Sequence, residues 1–274
     1  SRSRALANCP LPGQGPIVVE DVAFPLARDG QWRLSATAAL SSAAAVIGVA
    51  AGASIAASRK VKGLAAVYTA TLLFYGPNAC GLAAQVLSHS PVHSADAVAA
   101  VAALFVVVAA TSASALGTIF GWPPPSSQGD GRVAAAVRGH PRWPAAVRGF
   151  VAGTRDADSS APRRLHGTLD VVTAILSAVL CSVQYGSDRG CAAAALSMVA
   201  AYGAQLAYLC RVKPHEAPRD GAIAIANVVA MMGLGITIAV SIFHNGDDRQ
   251  RYLTVADYFT MSVMVLFYGE LLIE

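Results

Sequence analysis

Apolar residues in this chain are gathered into runs, and the lengths of those runs carry the first structural information. A helix needs about 20 predominantly apolar residues, at about 1.5 Å rise each, to cross a bilayer. Seven stretches meet that template: Ser35 to Ala57, Leu64 to Leu87, Ala95 to Phe120, Gly167 to Tyr185, Cys191 to Leu209, Ala222 to His244, and Leu253 to Ile273. The pattern predicts an all-α fold, a polytopic membrane bundle of about seven helices. Within the second stretch, Phe74-Tyr75-Gly76-Pro77-Asn78 places a proline at mid-depth, where the missing backbone donor predicts a kink. The third ends at Gly121-Trp122-Pro123-Pro124-Pro125, an interfacial tryptophan followed by a proline stop.

Between the third and fourth runs the composition changes. Seven arginines (Arg132, Arg138, Arg142, Arg148, Arg155, Arg163 and Arg164) stand against three aspartates among Gly, Pro and Ser. Four segments are therefore expected: an extracytoplasmic flank over 1–34, a three-span half over 35–122, a basic Pro/Arg-rich cytoplasmic loop over 123–166, and a four-span half over 167–274. Weak helical spacing of valines over Val133 to Val151 marks a candidate surface helix in the loop, interrupted by Pro141 and Pro144.

Composition narrows the class. Of 274 residues, 55% are hydrophobic and 13% charged, with a mean hydropathy of +0.51. A soluble domain carries about 25% charge, so this chain lacks the polar coat of an ordinary soluble enzyme. Aromatic residues make up 7% and do not interleave with basic blocks, which excludes a nucleic-acid partner. The expected partner is the lipid bilayer, with other helices or a second copy of the chain as further partners.

The position of the charges predicts an orientation. The links after the first, third and fifth runs hold thirteen of the twenty basic residues, whereas the opposite side holds Arg2, Arg4, Arg28, Arg33, Arg189, Arg249 and Arg251. Cytoplasmic loops carry the excess of Lys and Arg, so the N-terminus is expected outside and the C-terminus inside, at the plasma membrane. The chain opens on Ser1-Arg2-Ser3, has no signal-peptide layout, and closes on Leu271-Leu272-Ile273-Glu274. It reads as a fragment of a longer protein with an upstream ectodomain.

Candidate chemistry is sparse. Cys9, Cys80, Cys181, Cys191 and Cys210 have no CxxC spacing; Cys9 and Cys191 fall on the same expected side and form a candidate disulfide, the others being small packing residues. His89 and His93 are four apart, but Pro91 lies between them and no third ligand accompanies them. His166 and His244 stand at span ends as interface residues. No metal or cofactor is expected. Asp96, Asp170 and Asp257 lie near span starts, where an acid reaches headgroup water and favours the positive helix end; Glu270 is solvated near the last span's end. No P-loop, GxSxG or HExxH pattern occurs, and the three lysines all sit at span edges, which leaves no retinal-binding position. The chain therefore reads as non-catalytic.

Uncharged polar groups at depth are the remaining candidates: Tyr75 and Asn78 in the second span, Tyr202, Gln205 and Tyr208 in the fifth, and Asn227 in the sixth. The fifth-span trio, three residues apart, shares one helix face and must turn from lipid toward the bundle. Interhelical hydrogen bonding is one reading, and a polar path through the three spans is the other. Gly48 to Gly52 and Gly117 to Gly121 are GxxxG matches that predict tight helix contact.

The long Arg- and Pro-rich loop, the span beginning near His166, Asp188-Arg189-Gly190-Cys191 opening the next and Arg211-Val212-Lys213-Pro214 closing it resemble the multi-span C-terminal regions of trypanosomatid dispersed gene family surface proteins. The resemblance covers residues 120 to 245. It implies a membrane-embedded domain of a larger cell-surface protein with an anchoring or adhesion-related role. A channel, transporter or receptor-like bundle is the alternative that the polar residues support.

Overall fold

A computed structural model describes residues 39–49, 64–88, 94–120, 161–183, 185, 187–244 and 247–273 of the chain. These residues form seven helices: α1 (Ala39–Val49), α2 (Leu64–Ser88), α3 (Ser94–Phe120), α4 (His166–Ser182), α5 (Asp188–Val212), α6 (Pro218–Ile242) and α7 (Asp247–Ile273). A helical turn, Ala161–Arg164, precedes α4. The fold is all-helical. Cys9, the N-terminal flank, His89, His93, Gly52, Gly121 and the candidate surface helix at Val133 to Val151 lie outside the described residues.

Three segments, Ala95–Ile119, Asp188–Val212 and Pro218–Ile242, are long and apolar enough to cross a membrane, and they mark a membrane protein. The expected seven are met in this clear form by three. Ala39–Val49 and His166–Ser182 are apolar but shorter than a bilayer needs. Helix α2 carries Tyr75, Gly76, Pro77 and Asn78 at its centre, which dilutes its apolar run, although the helix continues through Pro77 from Leu64 to Ser88.

The ends of the helices follow local chemistry. Helix α5 starts at Ser187, whose hydroxyl accepts from the Gly190 N–H at 3.2 Å, and Asp188 adds a negative charge to the first turn. It stops at Lys213, which adopts the left-handed conformation (φ 49°) and donates its N–H to the Leu209 carbonyl. The next helix opens with Pro218, a residue suited to the first turn because its missing N–H would have had no partner there. The link between α5 and α6 is thus short and sharply turned.

Two cores result. In the first, Ala39, Ala43 and Val46 of α1, Tyr68, Leu72 and Ala83 of α2, and Ala100, Ala103 and Val107 of α3 pack with Val171 of α4. In the second, Ala194, Ala195 and Met198 of α5 pack with Val228, Leu234 and Ile238 of α6 and Ala256 of α7. Helix α4 joins them: Ile175 and Val179 pack against the first core, Leu180 and Cys181 against the second. The fourth helix therefore shares its packing with the helices that precede the basic loop.

The outer surface is apolar. Val98, Val101, Phe105 and Val108 form an exposed stripe along α3, with Phe105 73% exposed. Hydroxyls turn inward or back onto the helix: Tyr68 and Ser114 meet at 3.0 Å, and Thr111 Oγ1 donates to the Val107 carbonyl at 2.8 Å. Where helices meet in lipid, association rests on close packing and hydrogen bonding, because the tails are as apolar as the side chains.

Among the described residues, close approach occurs at Gly81 and Gly235, which the GxxxG spacing did not single out. Gly48 faces open space, whereas a Cβ on Gly81 would stand 2.8 Å from Ser182 Oγ and 3.3 Å from the Ala178 carbonyl. A Cβ on Gly235 would stand 2.8 Å from Val199 Cγ2 and 3.3 Å from the Ala195 carbonyl. The α2–α4 and α6–α5 contacts depend on these two positions. The GxxxG spacing at Gly48 misled because it reports a small residue without reporting which face the neighbouring helix covers.

Candidate functional site: a polar cavity among helices α2, α4, α5 and α6

The buried face of α5 runs Cys191, Ala194, Ala195, Met198, Tyr202, Gln205 and Leu209, a three- and four-residue spacing that defines one side of a helix. Its upper part is small and apolar; its lower part carries the polar pair Tyr202 and Gln205. That lower part faces the start of α4 and the start of α6. Between them lies a cavity of about 520 Å³, with Leu73 and Phe74 of α2 on a further wall.

The polar lining comes from four places: His166, Asp170 and Thr173 on α4, Tyr202 and Gln205 on α5, His215 in the link, and Asp220 and Asn227 on α6. Gln205 Nε2 donates to Asp170 Oδ1 at 2.6 Å, a short bond to a carboxylate across two helices. The other oxygen, Asp170 Oδ2, lies 3.4 Å from His166 Nε2, one helical turn away. The His215 ring stands edge-on to His166 with centroids 4.3 Å apart. Lys213 and the fully buried Pro214 set that ring over the cavity by ending α5 with a turn. Burial chiefly, and the neighbouring His166, hold the His215 imidazole below its ordinary value, against the opposite pull of Asp170 and Asp220.

Four buried side-chain atoms on lining residues have no protein hydrogen-bond partner among the described residues: His166 Nδ1, Gln205 Oε1, His215 Nε2 and Asn227 Oδ1. The Gln205 case follows from its geometry. With its amide nitrogen committed to Asp170, its carbonyl oxygen must point elsewhere, and the residue is 7% exposed. Native interiors pair nearly all buried polar atoms, so four orphans on residues around one cavity single out this region of the bundle. No group of three or more His, Cys, Asp or Glu among the described residues is arranged to hold a metal ion.

Two arginines brace this end. Arg163 Nε donates to the Val212 carbonyl and Arg164 Nη2 to the Ile119 carbonyl, each at 3.4 Å. Both carbonyls are at helix C-terminal ends, where a cation meets the negative pole. Tyr208 Oη donates to the Pro162 carbonyl at 2.6 Å, and its ring lies parallel to His166 with centroids 6.5 Å apart. The turn before α4 is thereby tied to the ends of α3 and α5.

The six polar residues read from the sequence are divided by the structure. Tyr202, Gln205 and Asn227 line the cavity, and Tyr208 supports its rim. Tyr75 and Asn78 do not join it. Tyr75 packs against the first core, and Asn78 Nδ2 donates to Ser42 Oγ at 3.4 Å, because α2 turns that face to α1 and presents Leu73 and Phe74 to the cavity. The expected path through spans two, five and six is replaced by a cleft whose second polar wall is α4.

The acids are also reassigned. Asp170 lies beyond the first turn of α4 and serves as acceptor for Gln205 in place of a helix cap. Asp257 follows ten residues after the start of α7 and is exposed, so it does not cap that helix. His166 and His215, read as an end residue and not singled out at all, prove to be neighbours. Their separation of 49 positions left no spacing to detect. Cys80, Cys181 and Cys210 are free, and Cys191 is disulfide-bonded.

Comparison with protein-family models, curated proteins and solved structures finds no match for this chain.

Proposed function

We propose that this protein is a multi-pass membrane protein, receptor- or transporter-like, whose working part is the polar cavity between α2, α4, α5 and α6. One observation carries the reading: a cavity of about 520 Å³ whose lining residues carry four buried polar atoms without protein partners among the described residues. A bundle serving only as an anchor has no use for such a space, since local pairing of its polar side chains would suffice. Cavities of this volume hold small organic ligands, and polar groups among apolar walls orient them.

Seven spans, with the N-terminus outside and the C-terminus inside at the plasma membrane, are part of this proposal. The charge distribution supports that orientation. From Asp220 to Met231 the α6 wall descends eleven residues, about 16 Å at helical rise, which is half a bilayer core. The cavity then acts as a one-sided vestibule on the cytoplasmic side, and the step beyond binding is passage or signalling.

The test is water access in membranes. In a background with the free cysteines replaced, Ile223→Cys and Thr173→Cys at the cavity should react with a charged thiol reagent, while lipid-facing Phe105→Cys should not. Equal inertness at all three positions returns the protein to the anchoring or adhesion-related reading.

A further inference from the structure

We infer that the cavity receives a small organic cation, a protonated amine with an apolar body; this rests on reading the cavity as a ligand site. The imidazoles of His166 and His215 line it, and its fixed charges are of one sign. Asp170 and Asp220 contribute carboxylates, and no Lys or Arg among the described residues lines it. Two of the orphaned atoms, Gln205 Oε1 and Asn227 Oδ1, are carbonyl oxygens that only accept. An ammonium group only donates, so it complements both the charges and the unpaired acceptors. A carboxylate ligand would meet two like charges and no Lys or Arg to pair with.

The size and walls select an organic cation over an inorganic one. The volume far exceeds that of a single ion, and no metal-holding cluster accompanies it among the described residues. The walls are Phe74, Ile223, Val228 and Met231, which offer contact to an alkyl or aromatic body. Phe74 additionally presents a ring, whose face attracts cations. Gln205 is 93% buried and holds its amide by the 2.6 Å bond to Asp170, so its carbonyl is fixed before the ligand arrives.

The experiment compares three probes of one skeleton on the full chain in lipid nanodiscs at neutral pH: phenethylamine, phenethyl alcohol and hydrocinnamate, by calorimetry. The amine should bind at least tenfold more tightly than either of the others, as expected for hydrogen bonds to a charged partner. Asp170→Asn and Asp220→Asn should each weaken the amine several-fold to tenfold and weaken the alcohol less, with unchanged helical circular dichroism reporting that the variants are folded. Alcohol binding equal to the amine, or tighter binding of hydrocinnamate, overturns the cation assignment and leaves the ligand-site reading standing. Binding of none of the three, with Ile223→Cys reactive, likewise overturns it. Binding of none, with Ile223→Cys inert, overturns both.

Discussion

The bond from Gln205 to Asp170 is the most informative single link to break, because its removal distinguishes a wet cavity from a dry one. Gln205→Leu keeps the approximate volume, deletes the 2.6 Å donor to the Asp170 carboxylate, and also deletes the unpaired Oε1. Loss of a hydrogen bond to a charged group costs about 1.5–3 kcal/mol. Removing an unsatisfied buried carbonyl returns about 1–3 kcal/mol, provided that the oxygen truly lacked a partner. In a dry cavity the two nearly cancel. In a wet one Oε1 is hydrated at no cost, there is nothing to recover, and the variant loses about 1.5–3 kcal/mol.

Unfolding in mixed micelles, followed by circular dichroism, measures the difference. A cycle with Asp170→Asn isolates the pair, and a coupling of about 1–2 kcal/mol is expected. That lies at the upper end of interhelical hydrogen bonds in membrane bundles, because this one reaches a carboxylate. A coupling near zero, with both single variants within about 0.5 kcal/mol of the parent, would refute the reasoning.

Three further outcomes follow from particular contacts. Gly81→Val should destabilise by about 1–3 kcal/mol, since its Cβ meets Ser182 Oγ and the Ala178 backbone, whereas Gly48→Ala should be neutral in the same assay; equal effects would contradict the packing. His215 has a folded-state pKa below its ordinary 6.5, so the unfolded chain binds the extra proton first. Stability should be fully present above about pH 6.5 and fall as pH drops below it, and His215→Gln should flatten that acid branch; an unchanged slope counts against the role. Digestion without reductant should yield a linked peptide containing Cys191, with Cys9 the expected partner, and recovery of an alkylated, monomeric Cys191 peptide would exclude that bond.

Much of the architecture was legible because the bilayer imposes a length on every span. The runs at Ala95 to Phe120, Cys191 to Leu209 and Ala222 to His244 lie within or nearly coincide with observed helices, and the inward turn of Tyr202 and Gln205 followed from helical spacing alone. Polar residues on one stripe of an apolar helix have few other places to go. Less legible were the ends. Helix α7 begins at Asp247, six residues before its apolar run, because a helix continues through polar residues when water can solvate them.

Periodicity within one helix could place a residue on a face, but it could not say which helix that face meets. Tyr75 and Asn78 looked equivalent to Gln205 and Asn227 by residue type and depth, yet they turn to α1 and the first core. Asp170 looked like a cap, and no spacing singled out His215; their meeting needs the α4–α5 contact and the left-handed turn at Lys213. The amino-acid sequence by itself determined that the chain is helical and apolar on its outside, since those properties depend on local periodicity and solvent. Only the tertiary structure decided which polar groups share a cavity, because that depends on contacts between residues tens of positions apart.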